Sequence, residues 1–338
     1  MELNERYYQK TVSAIGWALL IFWGLMQGFG VAIAVLSMIL SELPVSPVVS
    51  DVVYQLLYGT GYMLTFMLPV LFLSLILKKK GCEPRHISFE PHISPYLPFL
   101  VFASIAVCFS AAQLNAYLVS FFNYSEFTSE LLQEQMGTGE PYEIILNFIV
   151  VAVVPGICEE FFFRGAILSN LLPFGRTNAI LISSFFFSMM HQNVGQFFYT
   201  FAVGIILGLV YERTGSIWNC TLIHILNHFV SVLEESIPRI FPESTVSAAF
   251  ILCIDATIYL LGAISVFVLV SRFFSKRSLL SDGAFGKEIP PSDVYAHYPL
   301  PAGRAARLFC TAPVIIFICL CCVQAGLLIL LATLGGFW

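Results

Sequence analysis

Long uninterrupted runs of apolar residues are the feature that most restricts what this chain can fold into. Many of these runs reach about 20 residues, the length that a helix needs to cross the hydrocarbon core of a bilayer. Of the 338 residues, 58% are hydrophobic and 11% are charged, whereas a soluble domain has about a quarter of its residues charged. Backbone groups in lipid must pair within their own segment. We therefore predict an all-α, polytopic transmembrane helical bundle.

The apolar runs predict about eight to nine membrane spans. The fifth and sixth candidates are near the lower length limit, so they would be tilted or sheltered by their neighbours. No cleavable signal peptide is expected, because the first run is too long and lacks a small-residue cleavage pattern after it. The candidate spans are residues 12–40, 53–77, 95–122, 142–171, 177–191, 197–212, 216–233, 246–273 and 313–337.

The spans group into five parts. A proline-containing stretch separates the last span from the others and is expected to be a cytoplasmic linker. The parts are N-terminal transmembrane helices at 1–122, a core with the polar residues at 142–235, a further core helix at 246–275, the linker at 276–312, and an appended transmembrane helix at 313–338.

The distribution of basic residues predicts the orientation, since Lys and Arg are enriched in cytoplasmic loops. They precede the first span and follow the second, fourth, sixth and eighth, whereas the other loops contain Arg239 and an acidic stretch at 123–143. This alternation predicts a multi-pass protein of the cell membrane with a cytoplasmic N-terminus. The residues concerned are Arg6, Lys10, Lys78, Lys79, Lys80, Arg85, Arg176, Arg213, Arg272, Lys276, Arg277, Lys287, Arg304 and Arg307.

Ionisable side chains inside the fourth span are candidates for function, because a charge in the membrane is costly and usually faces an interior or a cavity. Glu160 and Arg164 are four residues apart, so they share a helix face and can form an ion pair. Glu159 is turned about 100° away and has no partner in its own helix. We predict a structural pair that leaves Glu159 free to act as a base or a ligand.

Three histidines lie in two other spans. His191 ends the fifth span, and His224 and His228 lie one turn apart in the seventh. At about 1.5 Å per residue, Glu159 and His191 lie about 18–21 Å from the cytoplasmic ends of their spans, and the other two lie about 12–18 Å deep. Four side chains on three helices can therefore meet near the bilayer midplane.

Simpler roles exist for each of these residues taken alone. A single intramembrane histidine is often an interhelical hydrogen-bonding group. Asp255 in the eighth span is most simply a helix-packing contact, and we assign it no catalytic role. The agreement in depth among four ionisable side chains is what favours a site.

Three motifs, in this order, resemble those of the CPBP family of intramembrane proteases. They are Glu159-Glu160-x-x-x-Arg164, Phe187-x-x-x-His191, and His224 with a polar residue four positions later. The connecting phrase at 208–218 is typical of bacterial members. The family includes the type II CAAX prenyl endopeptidases and bacterial proteins linked to bacteriocin processing and self-immunity, often called Abi. The resemblance covers roughly residues 143–235.

The resemblance implies hydrolysis of a peptide bond in a membrane-associated or prenylated peptide or protein, as in CAAX-box protein processing. Glu159 would activate the attacking water with help from His191. Glu160 and Arg164 would brace the site. The expected partners are the lipid bilayer and the peptide or protein substrate, and nothing in the sequence suggests a nucleic acid.

The sequence departs from the family at position 228, where most members have Asn. His224 and His228 would stabilise the oxyanion, because a neutral imidazole can donate a hydrogen bond to it. With His191 they would equally form a three-histidine site with an open position, as catalytic zinc prefers. A metal-free, glutamate-dependent hydrolase and a metalloendopeptidase both remain open. The first is favoured, because Asn227 could supply an amide by a small rotation, so zinc is a candidate cofactor and not a required one.

Two other classes of function compete with the enzyme. A non-catalytic membrane scaffold or bacteriocin self-immunity protein could keep the fold and bind a peptide or a partner. A proton- or ion-coupled transporter is a weaker alternative, since the inverted repeat and broken helices of many transporters are missing from the sequence. The presence of both glutamates, the arginine and two motif histidines favours the enzyme, because a scaffold does not need the full set.

Overall fold

Helices make up all regular secondary structure in the residues that the computed structural model describes, which are 3–85, 93–120, 141–274, 298 and 300–335. The predicted all-α polytopic bundle is confirmed. The acidic loop and most of the predicted linker lie outside these residues. The α-helices are α1 (Leu3–Glu42), α2 (Pro47–Lys79), α3 (Leu97–Ser120), α4 (Pro141–Asn147), α5 (Val154–Glu160), α6 (Ser169–Leu171), α7 (Arg176–Met190), α8 (Val194–Thr214), α9 (Ile217–Ile240), α10 (Ser244–Phe274), α11 (Ala302–Phe309) and α12 (Ala312–Gly335).

Seven helices in the described residues are long and apolar enough to cross a membrane, so the protein is a multi-pass membrane protein. Two of the nine expected spans, which correspond to α7 and α9, do not meet that measure. Helix α7 has only 15 residues, and α9 carries His224, Asn227, His228 and two glutamates within its 24 residues. These two helices position the candidate histidines: the short α7 is followed by His191, and the polar α9 contains His224 and His228.

The fourth span, Tyr142–Phe174, is a composite helix that we call the central span. Its α-helical parts are interrupted by π-helical turns at Phe148–Val153 and Phe161–Leu168. The first precedes Pro155, which has no N–H to donate and would clash with a carbonyl in a regular helix. The two wide turns flank Glu159 and Glu160, and π-turns are frequent at functional sites.

Two glycines let helices of the core approach each other closely. A Cβ on Gly156 of the central span would lie 2.6 Å from Cγ1 and 3.2 Å from the backbone nitrogen of Ile225 in α9. A Cβ on Gly204 of α8 would lie 2.9 Å from Cα of Ser184 in α7. Any larger residue would push these helices apart, so the glycines set the spacing between the helices that carry the candidate site.

The last helix packs along the first, where a Cβ on Gly16 would lie 2.8 Å from the backbone nitrogen of Val314. Part of the predicted linker also contacts the core. The amide nitrogens of Tyr298 and Leu300 donate to the carbonyls of Pro173 and Phe174 at the end of the central span. The short helix α11 follows within the predicted linker. The described end of the linker and α12 are therefore packed on the bundle.

Candidate active site

The carboxylate of Glu160 is the centre of a buried network. Its Oε1 accepts hydrogen bonds from Nη1 of Arg164 at 2.8 Å and from Nδ1 of His224 at 2.7 Å. Arg164 also donates from Nη2 to the carbonyl of Gly204 at 3.2 Å, and its guanidinium lies 4.5 Å from the ring centroid of Phe187. The predicted ion pair is thus present, and the same glutamate orients a histidine, which the motif spacing alone did not indicate.

Glu159 has a different environment, although it is only 2% exposed. Its Oε1 accepts a hydrogen bond from the hydroxyl of Tyr62 at 2.5 Å. Its Oε2 lies 3.8 Å from Nε2 of His224 and has no hydrogen-bond partner among the described residues. One oxygen of this carboxylate is therefore held, and the other is buried beside a histidine.

Tyr62 is a site residue that the sequence analysis missed, because it lies on α2 and outside the recognised motifs. A signal was present in the spacing of Tyr54, Tyr58 and Tyr62, which recur every four residues and so share one helix face. Their rings form a stack with centroid separations of 6.2 Å, which Phe66 continues at 4.9 Å. A row of tyrosines in an apolar span leads along α2 to the carboxylate of Glu159.

His224 and His228 contact each other through their Nε2 atoms at 3.0 Å, and their rings stack at 4.8 Å. One of the two nitrogens must donate and the other accept. Because Nδ1 of His224 faces the Glu160 carboxylate, that nitrogen carries a proton, an assignment inferred from the network. The second proton of the pair lies between the two rings.

His191 caps the C-terminus of α7 and packs its ring against Phe187 at 5.5 Å. Its Nε2 is buried and has no hydrogen-bond partner within the described part of the chain. The structure therefore places His224 next to both Glu159 and His228, whereas no direct hydrogen bond joins His191 to these three among the described residues.

Asn227 faces away from this cluster. Its Nδ2 donates to the hydroxyl of Tyr199 in α8 at 2.8 Å. A rotation toward position 228 would break that bond, so the amide is engaged in holding α9 against α8.

His191, His224 and His228 are the candidate ligands for a catalytic zinc. Among the described residues, no group of three or more His, Cys, Asp or Glu side chains is arranged to hold a metal ion. We therefore derive no step through a metal.

The fold and the site together define a multi-pass membrane protein with a buried Glu-Glu-Arg-His cluster. Residues 141–230 match the family model described as "Type II CAAX prenyl endopeptidase Rce1-like". The predicted membership of this segment in the CPBP family, which includes the CAAX-type proteases, is confirmed. The match covers the central span and helices α7 and α8 with most of α9, but not the helices that carry Tyr62 or the last span. No curated protein and no solved structure matches the chain.

Proposed function

We propose that this protein is an intramembrane endopeptidase that hydrolyses a peptide bond in a membrane-associated or prenylated peptide or protein. The observation that supports this most is that two atoms of the motif residues, Oε2 of Glu159 and Nε2 of His191, are each buried without a hydrogen-bond partner among the described residues. An unpaired buried polar group costs about 1–3 kcal/mol. Such groups are rare in native proteins and call for an explanation, and a water-activating pair is one.

The proposed reaction uses Glu159 as the general base. His191 helps to orient the attacking water. Glu159 takes a proton from this water while the water oxygen bonds to the substrate carbonyl carbon and the carbonyl electrons move onto oxygen. The Nε2–H that His228 donates to Nε2 of His224 turns to that oxyanion, a type of stabilisation that contributes strongly to acyl-transfer catalysis. When the carbonyl reforms, the C–N bond breaks and Glu159 gives the proton to the departing amine nitrogen.

The neighbouring residues support this assignment by orientation. The hydroxyl of Tyr62 occupies Oε1 of Glu159, which leaves Oε2 as the basic oxygen. Glu160 accepts from Nδ1 of His224, and a carboxylate on one ring nitrogen determines what the other nitrogen can do. Arg164 balances the charge of Glu160. We further propose a cytoplasmic N-terminus and a location in the cell membrane, on the basis of the basic loops.

The test compares the purified wild type with Glu159→Gln and His191→Ala on prenylated CAAX peptides and on membrane-inserted peptides. Both variants should lose at least about a hundredfold in turnover, the order expected for removing a general base or the residue that orients the water for it. Asp255→Asn, which alters a carboxylate of α10 outside the cluster, should retain activity. Cleavage by Glu159→Gln at the wild-type rate would contradict the proposal. Peptide binding without cleavage by the wild type would favour the scaffold.

Metal dependence is tested on the same preparations. The glutamate-dependent reaction predicts that chelation leaves turnover unchanged and that elemental analysis finds no stoichiometric zinc. Loss of activity on chelation, restored by zinc and abolished in His228→Asn, would instead support a metalloendopeptidase with His191, His224 and His228 as ligands.

A further inference from the structure

The turn that follows His191 has an unusual backbone conformation. Gln192 has φ of +53°, and it is the only residue other than glycine with positive φ among the described residues. Side chains with a Cβ rarely adopt this left-handed conformation, because the Cβ approaches the following carbonyl oxygen. Gln192 is also buried, at 8% exposure. The path of the backbone after His191 therefore depends on the contacts that keep Gln192 in this conformation.

One glutamine contacts Gln192 directly, and a second glutamine contacts the first. Nε2 of Gln27 in α1 donates to Oε1 of Gln192 at 3.1 Å and to Oε1 of Gln324 in α12, also at 3.1 Å. Each amide reaches across an apolar helix interface, where a polar side chain finds few alternative partners. Both Gln27 and Gln324 lie outside the segment that matches the protease family. We call these three residues the amide triad.

Helix α7, whose C-cap is His191, also packs against the C-terminal helices α11 and α12. The ring of Phe186 in α7 lies 5.4 Å from Phe309, which ends α11, and 6.0 Å from Phe317 in α12. Asn193, one residue beyond the turn, caps α8 by accepting from the amide of Gly195 at 2.8 Å. The turn between α7 and α8 is thus fixed at the start of α8 by the Asn193 cap. At the end of α7 it is fixed by the packing of Phe186 and by the amide triad.

We propose that the amide triad positions His191, and that α12 is in this way a working part of the active site and not only an added membrane anchor. The triad holds Gln192 in the left-handed conformation, which sets the direction of the His191 backbone and hence of its ring. The predicted effect of the amide triad on kcat rests on the proposed function, because it requires a catalytic activity. The hydrogen bonds and the backbone conformation do not depend on it.

A double-mutant cycle tests the proposal, because glycine adopts positive φ without a steric penalty. Gln27→Leu in the native background should lower kcat about tenfold with KM unchanged, the factor that corresponds to about 1.4 kcal/mol. In the Gln192→Gly background, which lacks both the acceptor of the hydrogen bond and the strain at positive φ, the same change should lower kcat by at most about twofold. Gln192→Ala, which lacks the acceptor but keeps the strain, should itself lower kcat about tenfold. Gln324→Leu should follow the same pattern with a smaller effect. Gln113→Leu, at an exposed glutamine of α3, is the matched control.

A second measurement is independent of catalysis. Hydrogen–deuterium exchange of the backbone amides at 191–196 should rise in Gln27→Leu and stay at the level of its parent in Gln27→Leu/Gln192→Gly. If the wild type cleaves no peptide, the proposed function fails while the exchange data still decide the role of the triad. Equal effects of Gln27→Leu in both backgrounds would overturn the proposal and reduce the triad to a helix-packing contact. If Gln27→Leu does not fold, Gln324→Leu takes its place in the cycle.

Discussion

Replacing Arg164 by Met is the most direct test of the buried network. Arg164 is 1% exposed and Glu160 is 0% exposed, so the change leaves a carboxylate without its compensating charge in an apolar interior. Removing one partner of a buried ion pair costs about 3–5 kcal/mol. The change also removes the hydrogen bond that Arg164 donates to the carbonyl of Gly204 in α8. We expect the free energy of unfolding to fall by at least about 3 kcal/mol, because methionine fills most of the volume but restores neither charge nor hydrogen bonds.

The matched control is Arg176→Met. Its guanidinium lies 2.7 Å from Glu212, but it is 34% exposed and Arg213 also contacts that glutamate. Because Arg176 is partly exposed and Arg213 remains beside the buried Glu212 carboxylate after the change, we expect a loss of about 0–1 kcal/mol, the range of solvent-screened pairs. Unfolding in mixed micelles, titrated with sodium dodecyl sulfate and followed by circular dichroism, should separate the two variants clearly. Equal losses of stability in both would refute the reasoning that burial makes the Arg164 pair structural.

Two further changes test how helices outside and inside the matched segment set the geometry. Tyr62→Phe removes one hydrogen bond to the proposed base and should lower kcat about tenfold, since a bond to a charged group contributes about 1.5–3 kcal/mol. Tyr58→Phe, one turn earlier in the same stack, should have a much smaller effect, and equal losses would contradict the assignment of Tyr62. Gly156→Ala should reduce both stability and turnover, because its Cβ would meet Ile225 at 2.6 Å. Gly24→Ala, which has no atom within 4 Å of its Cβ, should instead stabilise by up to about 1 kcal/mol. A stable, active Gly156→Ala would refute the close approach.

The sequence predicted the parts of the site that lie within one helix or one motif. The Glu160–Arg164 pair follows from a spacing of four residues, and the coincidence of Glu159 with the histidines follows from counting depth along straight helices. The match of residues 141–230 to the protease family agrees with the motifs. Seven helices among the described residues qualify as spans by length and hydropathy, fewer than the nine candidates. Helix α7 is too short at 15 residues, and the polar residues of α9 lower its hydropathy.

Contacts between helices distant in sequence could not be predicted in this way. Nothing in the motif spacing states that Nδ1 of His224 would face Glu160, or that Asn227 would bond to Tyr199. These pairings depend on how far α8 and α9 rotate about their axes, and that rotation follows from close approaches such as the one at Gly204. A helical face can be read from one sequence, but the partner that covers it is decided by packing.

Tyr62 and Gln27 lie outside the matched segment, and each makes polar contacts next to the proposed site in an apolar surrounding. Tyr62 of α2 holds an oxygen of Glu159, and Gln27 of α1 holds the turn after His191. In lipid, such a contact fixes the orientation of a side chain, because an amide or a hydroxyl has few competing partners there. In the proposed mechanism, the motif residues provide the reactive groups, and Tyr62 and Gln27 help to orient Glu159 and His191. It follows that grafting residues 141–230 alone into another bundle would transfer the motifs but leave both Glu159 and His191 without their orienting contacts.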